Sequence, residues 1–304
     1  MATLPTKKLG RTGLEVTTLG FGAMELRGAP RGREVSPQQA ESVLNAVLDS
    51  GINYIDTSID YGESEEHIGR ALVQRRSEYI LATKCGCVVG APLQPRGQMP
   101  HVFTPENILA GVNQSLARMK TDYIDVLQFH NGPPGDELVK NHAIETVLDL
   151  KRQGKVRFIG MSSVLPNLKD HIALGVFDVF QIPYSALQRE HEDFITEAAL
   201  AGVGTVIRGG VSKGDPSDRK QNGSAWDLWQ HARLDDLLED MTRIEFILRF
   251  TLSHPNLDTT IVGTIDPDHL KGNLNALRKG PLSKDTYDEA KKRLSAAGSS
   301  PQAS

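Results

Sequence analysis

Apolar residues along this 304-residue chain fall into short runs separated by longer amphipathic stretches. The runs at 18–21, 53–56, 79–83, 123–127, 156–161, 177–182, 203–207 and 259–262 are rich in Val, Ile and Phe and mostly unalternating. That is the pattern of parallel strands covered on both faces. Helical stretches follow at 36–51, 64–73, 104–119, 141–153, 166–174, 192–201, 244–253 and 267–276, the first opened by Ser36 as N-cap and stopped by Gly51. Eight strand-helix units with no linker composition predict an α/β protein, a closed (β/α)8 TIM barrel in a single domain over 1–304. A hairpin, 7–9 and 14–16 flanking Gly10-Arg11-Thr12-Gly13, stands ahead of the barrel and is placed to plug one end. The small polar residues of 298–304 read as a disordered tail.

Two insertions, 86–103 and 209–233, each follow a strand and so lie at the carboxyl face, where barrel active sites are built. Polar residues at strand ends point to the same mouth: Asp56, Lys84 and His130, with Tyr61 just beyond Asp56. Singly, these are a helix cap, a solvated cation and a loop histidine. Together they compose a phenolic proton donor. A phenol titrates near pH 10, an ammonium beside it favours phenolate, and a carboxylate holds that ammonium charged. His130 is then placed to hydrogen-bond a substrate oxygen. A mouth-facing Lys84 is expected to tolerate Met with little loss of stability.

Composition narrows the function classes. The chain is 39% hydrophobic and 24% charged, with net charge −4 and scattered Lys and Arg, so no basic stripe follows a nucleic acid. No run of about eighteen apolar residues spans a membrane and no signal peptide opens the chain, which predicts a cytoplasmic protein. Cys85 and Cys87 are too close for a useful disulfide, and with no third ligand evident they read as inert thiols with no metal site. Trp226 and Trp229, three apart in the second insertion, suit either the barrel wall or a pocket lining. Gly-x-Ser-x-Gly, His-Glu-x-x-His and Walker motifs are missing, and Glu25 stands where a Rossmann fingerprint needs its third glycine after Gly20-Phe21-Gly22. The pattern assigns no oligomeric state.

Several stretches together resemble the aldo-keto reductases, particularly their bacterial branch. They are Leu9-Gly10-Arg11-Thr12-Gly13-Leu14, Leu19-Gly20-Phe21-Gly22, Asn53-Tyr54-Ile55-Asp56-Thr57-Ser58 with Tyr61-Gly62, Ala82-Thr83-Lys84, and the run from Asp122 to His130. The resemblance implies that Asp56, Tyr61, Lys84 and His130 are a catalytic tetrad. It also implies a nicotinamide cofactor, NADPH with NADH as the alternative, and a small carbonyl or alcohol substrate. It assigns the carboxamide to Ser162, Ser163 (where relatives carry Asn) and Gln181, and further cofactor contacts to Gly22, Ala23, Met24 and Asp56. Arg208-Gly209-Gly210-Val211 stands where relatives place the aromatic residue that stacks on the nicotinamide; with Lys213 it is assigned to the cofactor, the Arg208 guanidinium being able to stack on a ring or pair with a pyrophosphate. Gly263, Thr264, His269 and Asn273 match the segment that grips the adenosine end, where a helix start with free N–H groups attracts phosphate. The runner-up is a nicotinamide-binding regulatory subunit with little turnover; the intact tetrad argues against it. An aldolase-type Schiff base on Lys84 fits poorly beside Asp56 and Tyr61, which favour the charged amine.

Overall fold

In the computed structural model, which describes residues 3–92, 99–212, 214–217 and 219–302, eight parallel strands close into a barrel. The strands are β3 (Leu19–Gly22), β4 (Tyr54–Asp56), β5 (Ile80–Cys85), β6 (Ile124–Phe129), β7 (Val156–Ser162), β8 (Val179–Pro183), β9 (Gly204–Arg208) and β10 (Thr259–Val262), with β10 pairing β3 to close the ring. Each is short and almost wholly buried, as the unalternating apolar runs require.

Helices α1 (Pro37–Asp49), α2 (Ser64–Ala71), α3 (Pro105–Met119), α4 (Gly135–Lys140), α5 (Ala143–Arg152), α6 (Leu168–Leu174), α7 (Glu192–Leu200), α8 (Arg219–His231), α9 (Arg243–Leu252), α10 (Pro267–Lys279) and α11 (Lys284–Ala296) surround it. Local chemistry sets several starts. Ser36 accepts from the Gln39 N–H at 3.1 Å ahead of Pro37, and Thr242 and Ser283 cap α9 and α11 in the same way. Among the described residues no helix is long and apolar enough to cross a membrane.

The hairpin of β1 (Thr6–Lys8) and β2 (Glu15–Thr17) does plug the barrel. Leu9, Leu14 and Val16 pack on the inward residues Tyr54, Ala82, Val126, Val179 and Val206, at the strands' amino-terminal end. Gly10 donates to Asp258 at 3.0 Å, and at φ 46° its hydrogen faces the β9 backbone, where a Cβ would stand 2.2 Å from the Gly204 nitrogen. The opposite end is left as the mouth.

Two expectations change. Residues 298–302 are held rather than free. The Arg189 guanidinium, almost fully buried, needs acceptors and finds them in the carbonyls of Lys291 and Ser299 and the Ser295 hydroxyl, while the Gln302 N–H donates to Glu190 at 3.1 Å. Residues 303–304 lie outside the described residues. The second insertion contains α8, whose Trp229 is fully buried, edge-on to Phe246 at 5.7 Å, and donates its indole N–H to Asp235 at 3.0 Å. Trp229 is therefore barrel wall, and Trp226 beside it lies under the Arg243 guanidinium at 5.0 Å.

Candidate active site

Three successive strand ends bring the polar residues of the mouth together. Asp56 ends β4, Lys84 lies one residue from the end of β5, and His130 follows β6. The Lys84 ammonium donates to Asp56 Oδ1 and to the Thr57 carbonyl, both at 2.7 Å, and stands 4.9 Å from the centre of the Tyr61 ring. Tyr61 meets His130 edge-on with ring centres 6.1 Å apart. The four expected catalytic residues thus share one site.

Lys84 is only 2% exposed, so it is a buried charge and not the mouth-facing cation expected from its strand-end position. Its charged form survives because Asp56, and then Tyr61, counter the burial, and its pKa is raised. The Tyr61 hydroxyl behaves differently from the expectation: burial raises its pKa above the ordinary phenol value despite the opposing pull of Lys84. Burial also drives His130 down to about 3, against the attraction of Asp60, so its imidazole is neutral.

Asp56 has two further partners that the sequence did not reveal as such. Gln128 and Gln181 each donate from Nε2 to Asp56 Oδ2 at 2.8 Å. Gln128 sits inside β6 opposite Gly160, where a Cβ would come within 2.8 Å of the Gln128 side chain, so the bare position in β7 makes room for it. The only signal for Gln128 was an amide in an otherwise apolar strand.

The expected cofactor residues divide. Gly22 ends β3 and Ala23 and Met24 follow it at the rim, with Met24 exposed and Ala23 buried. Gly263 packs so closely that a Cβ would stand 2.4 Å from the Gly22 carbonyl oxygen, leaving two bare backbones side by side at the mouth. Arg208 ends β9, half-buried, and among the described residues its guanidinium has no hydrogen bond or ion pair. Gly209 then turns outward at φ 75°, Gly210 tucks in with its carbonyl accepting from Thr251, and Val211 is half-buried; Lys213 lies outside the described residues. Bare glycine backbone and an unmatched cation at one rim fit a dinucleotide with its pyrophosphate.

Other expected contacts are already engaged. Gln181 spends its N–H on Asp56, and its oxygen accepts from Ser162 at 3.4 Å. Ser163 is fully buried and its hydroxyl meets His171 Nδ1 at 2.7 Å, so the structure does not bring it to the mouth. The α10 start is not the open anion site expected: Asp266 caps it, accepting from the Asp268 N–H at 2.8 Å, and Pro267 has no N–H to offer. His269 is exposed 3.9 Å from Asp266, Thr264 bonds the Asp266 backbone, and Asn273 is buried in α10.

The reading of Cys87 as a thiol without neighbouring ligands is also corrected. Its sulfur lies 3.2 Å from His130 Nδ1 and 3.6 Å from His101 Nε2, because the first insertion folds His101 back across from Cys87 in a β-bridge. Sequence spacing hid this, since His101 is fourteen residues away.

Comparison with known proteins agrees with the barrel fold. The Aldo/keto reductase family profile matches residues 18–294. The uncharacterized oxidoreductase YqkF of Bacillus subtilis is 30% identical over 298 residues, covering 92% of this chain and 93% of the relative. The NADH-specific methylglyoxal reductase of Escherichia coli is 31% identical over 61% of this chain and 60% of its own. Among solved structures, the holo form of aldo-keto reductase AKR11C1 from Bacillus halodurans superposes with a TM-score of 0.83 at 30% identity, over 95% of this chain and 96% of that one. A barrel whose mouth joins Asp56, Tyr61, Lys84 and His130 is thus matched along nearly its whole length by oxidoreductases of one kind, and the chain belongs to the aldo/keto reductase family.

Proposed function

We propose that this protein reversibly reduces a small carbonyl compound to an alcohol, with Tyr61 as general acid in reduction and general base in oxidation. The observation that carries the reading is the Lys84 ammonium, gripped by Asp56 and Thr57 at 2.7 Å and held 4.9 Å from the Tyr61 ring. As the phenol gives its proton to the carbonyl oxygen, that ammonium stabilises the phenolate left behind. Asp56 fixes Lys84, and Gln128 and Gln181 fix Asp56. His130 Nδ1 faces the Cys87 thiol at 3.2 Å, which is able to donate to it, and this leaves Nε2 as the N–H that orients the substrate oxygen.

A bound reduced nicotinamide supplies the hydride. Arg208 and the backbone of Gly22, Gly209 and Gly263 would hold the dinucleotide, with Ser162 and Gln181 at the carboxamide end. NADPH is the proposed form, on Arg208 at the end of β9 and His269 in α10, with NADH as the alternative. The test is a panel of aldehydes and ketones, methylglyoxal among them, offered with NADPH and with NADH while nicotinamide absorbance is followed. Carbonyl-dependent oxidation of the cofactor is expected. Tight cofactor binding with no turnover on any carbonyl would support the regulatory subunit instead.

A further inference from the structure

We propose that Asp60, Cys87, His101 and His130 form a binding site for a divalent transition metal with the ligand preferences of zinc. Each of the four offers one ligand atom, and these atoms all lie within 4.8 Å of one another. Three of the separations are 3.2 Å (Cys87 Sγ to His130 Nδ1), 3.6 Å (Cys87 Sγ to His101 Nε2) and 3.6 Å (Asp60 Oδ1 to His130 Nδ1). A tetrahedral zinc ion with bonds of about 2.0–2.3 Å sets its ligand atoms about 3.3–3.6 Å apart. The group therefore stands close to the dimensions of the polyhedron, and small side-chain rotations complete it.

The donor set and its charge agree. One thiolate, one carboxylate and two neutral imidazoles balance a dication, and sulfur with imidazole selects zinc or cobalt over magnesium or calcium. Lys84 does not compete, because its ammonium is committed to Asp56 and Thr57. Arg31 approaches the other Asp60 oxygen at 3.7 Å, leaving Oδ1 to the group.

The surrounding backbone builds the site. Cys87 and His101 face each other in a β-bridge flanked by Val88 N–H to Pro100 O at 3.0 Å and Val102 N–H to Gly86 O at 2.7 Å. The Asn107 amide at the start of α3 clamps both arms, donating to the carbonyls of Gly86, Cys87 and Val102. Ser58 donates to Asp60 Oδ1 at 2.6 Å, an outer-shell hydrogen bond of the kind that orients a ligating carboxylate. A metal on His130 Nδ1 leaves the proton on Nε2, the nitrogen assigned above to the substrate, so the site fixes that tautomer of His130.

The test is titration of the full-length protein with Co²⁺. Thiolate ligation gives near-ultraviolet charge-transfer absorption, and a tetrahedral site gives strong visible bands. One equivalent of Co²⁺ is expected to produce both, and Zn²⁺ to abolish both. Cys87→Ser should lose the charge-transfer band and Cys85→Ala should keep it. His101→Gln, at a half-buried position, should weaken Co²⁺ binding by at least the roughly 10- to 100-fold typical of a lost outer-shell partner, with circular dichroism confirming the fold. A wild type without charge-transfer absorption, a band that survives Cys87→Ser, or undiminished affinity in a folded His101→Gln would each overturn the proposal. None of these readings depends on hydride transfer, so the metal site and the reductase activity stand or fall separately.

Discussion

Burial raises the Tyr61 pKa while the Lys84 ammonium pulls it back, and burial wins. A donor that keeps its proton throughout the neutral range suits carbonyl reduction, and with His130 held neutral down to about pH 3 no titration near pH 6.5 should interrupt it. Tyr61→Phe removes the hydroxyl and leaves the ring against His130. Turnover should fall about 10²- to 10⁴-fold with cofactor affinity preserved, read by single-turnover hydride transfer and fluorescence titration on the same variant. Hydride transfer at an undiminished rate would remove Tyr61 from the mechanism. Lys84 carries a second expectation, because its burial reverses what its strand-end position suggested. Lys84→Met leaves Asp56 charged and buried with only the two glutamine amides, so unfolding in urea should show a loss approaching the roughly 3–5 kcal/mol of a broken buried pair. An unchanged midpoint would mean that Gln128 and Gln181 alone satisfy the carboxylate. The grouping of Asp56, Lys84 and His130 was legible because each stands at or just past the end of an apolar strand, with Tyr61 a few residues beyond the first. Gln128 and His101 were not, because their roles exist only across strand register and loop closure.

Among the elements, the α10 start is where the adenosine end of the proposed cofactor would lie. A helix N-terminus carries partial positive charge, but here the Asp266 carboxylate occupies it and Pro267 removes one donor. Asn caps helices as well as Asp does and carries no charge. Asp266→Asn should therefore tighten NADPH more than NADH, since only NADPH brings a further phosphate to the adenosine end, and fluorescence titration of both cofactors at low salt reads the difference. Equal changes for the two would place that phosphate elsewhere. The eight strands and the helix after each were legible because strand burial on both faces leaves an unbroken apolar run and helix amphipathicity leaves a period of about 3.6. Helix α8 was not, since it lies in a polar stretch and owes its place to Trp229 against Phe246. Helix α11 has the same origin: its apolar face is only Tyr287, Ala290 and Leu294, sealed by Tyr184 and the Arg189 contacts.

At the scale of the whole molecule, neutral histidines join parts of the fold that are distant in sequence. His171 links Ser163 to the Pro133 carbonyl, at 2.7 Å on each side. His191 Nε2 accepts from the Leu165 N–H at 3.1 Å, and His254 Nδ1 accepts from the Asn256 N–H while Nε2 donates to the Glu192 carbonyl. An accepting nitrogen has no room for a proton. His67, His101, His130, His171, His191 and His254 all have pKa values lowered from 6.5, with burial the leading cause in each. Glu65 and Asp258 are raised by burial and act in the opposite sense, but they are two against six and start from carboxylate values of 4.5 and 3.8. The unfolded chain takes up histidine protons as pH falls below about 6.5, and the folded chain refuses them, so stability present above that pH is lost progressively below it. Each histidine inside this window adds up to about 1.4 kcal/mol per pH unit to the slope. Urea unfolding should thus give its highest free energy near pH 7.5 and a steep decline by pH 5.5. His171→Gln should lower stability at neutral pH but flatten the decline by one proton's share, which separates the linkage from the lost contacts. A wild type equally stable at pH 7.5 and 5.5 would mean that these imidazoles are reached by water and carry their protons in the folded state.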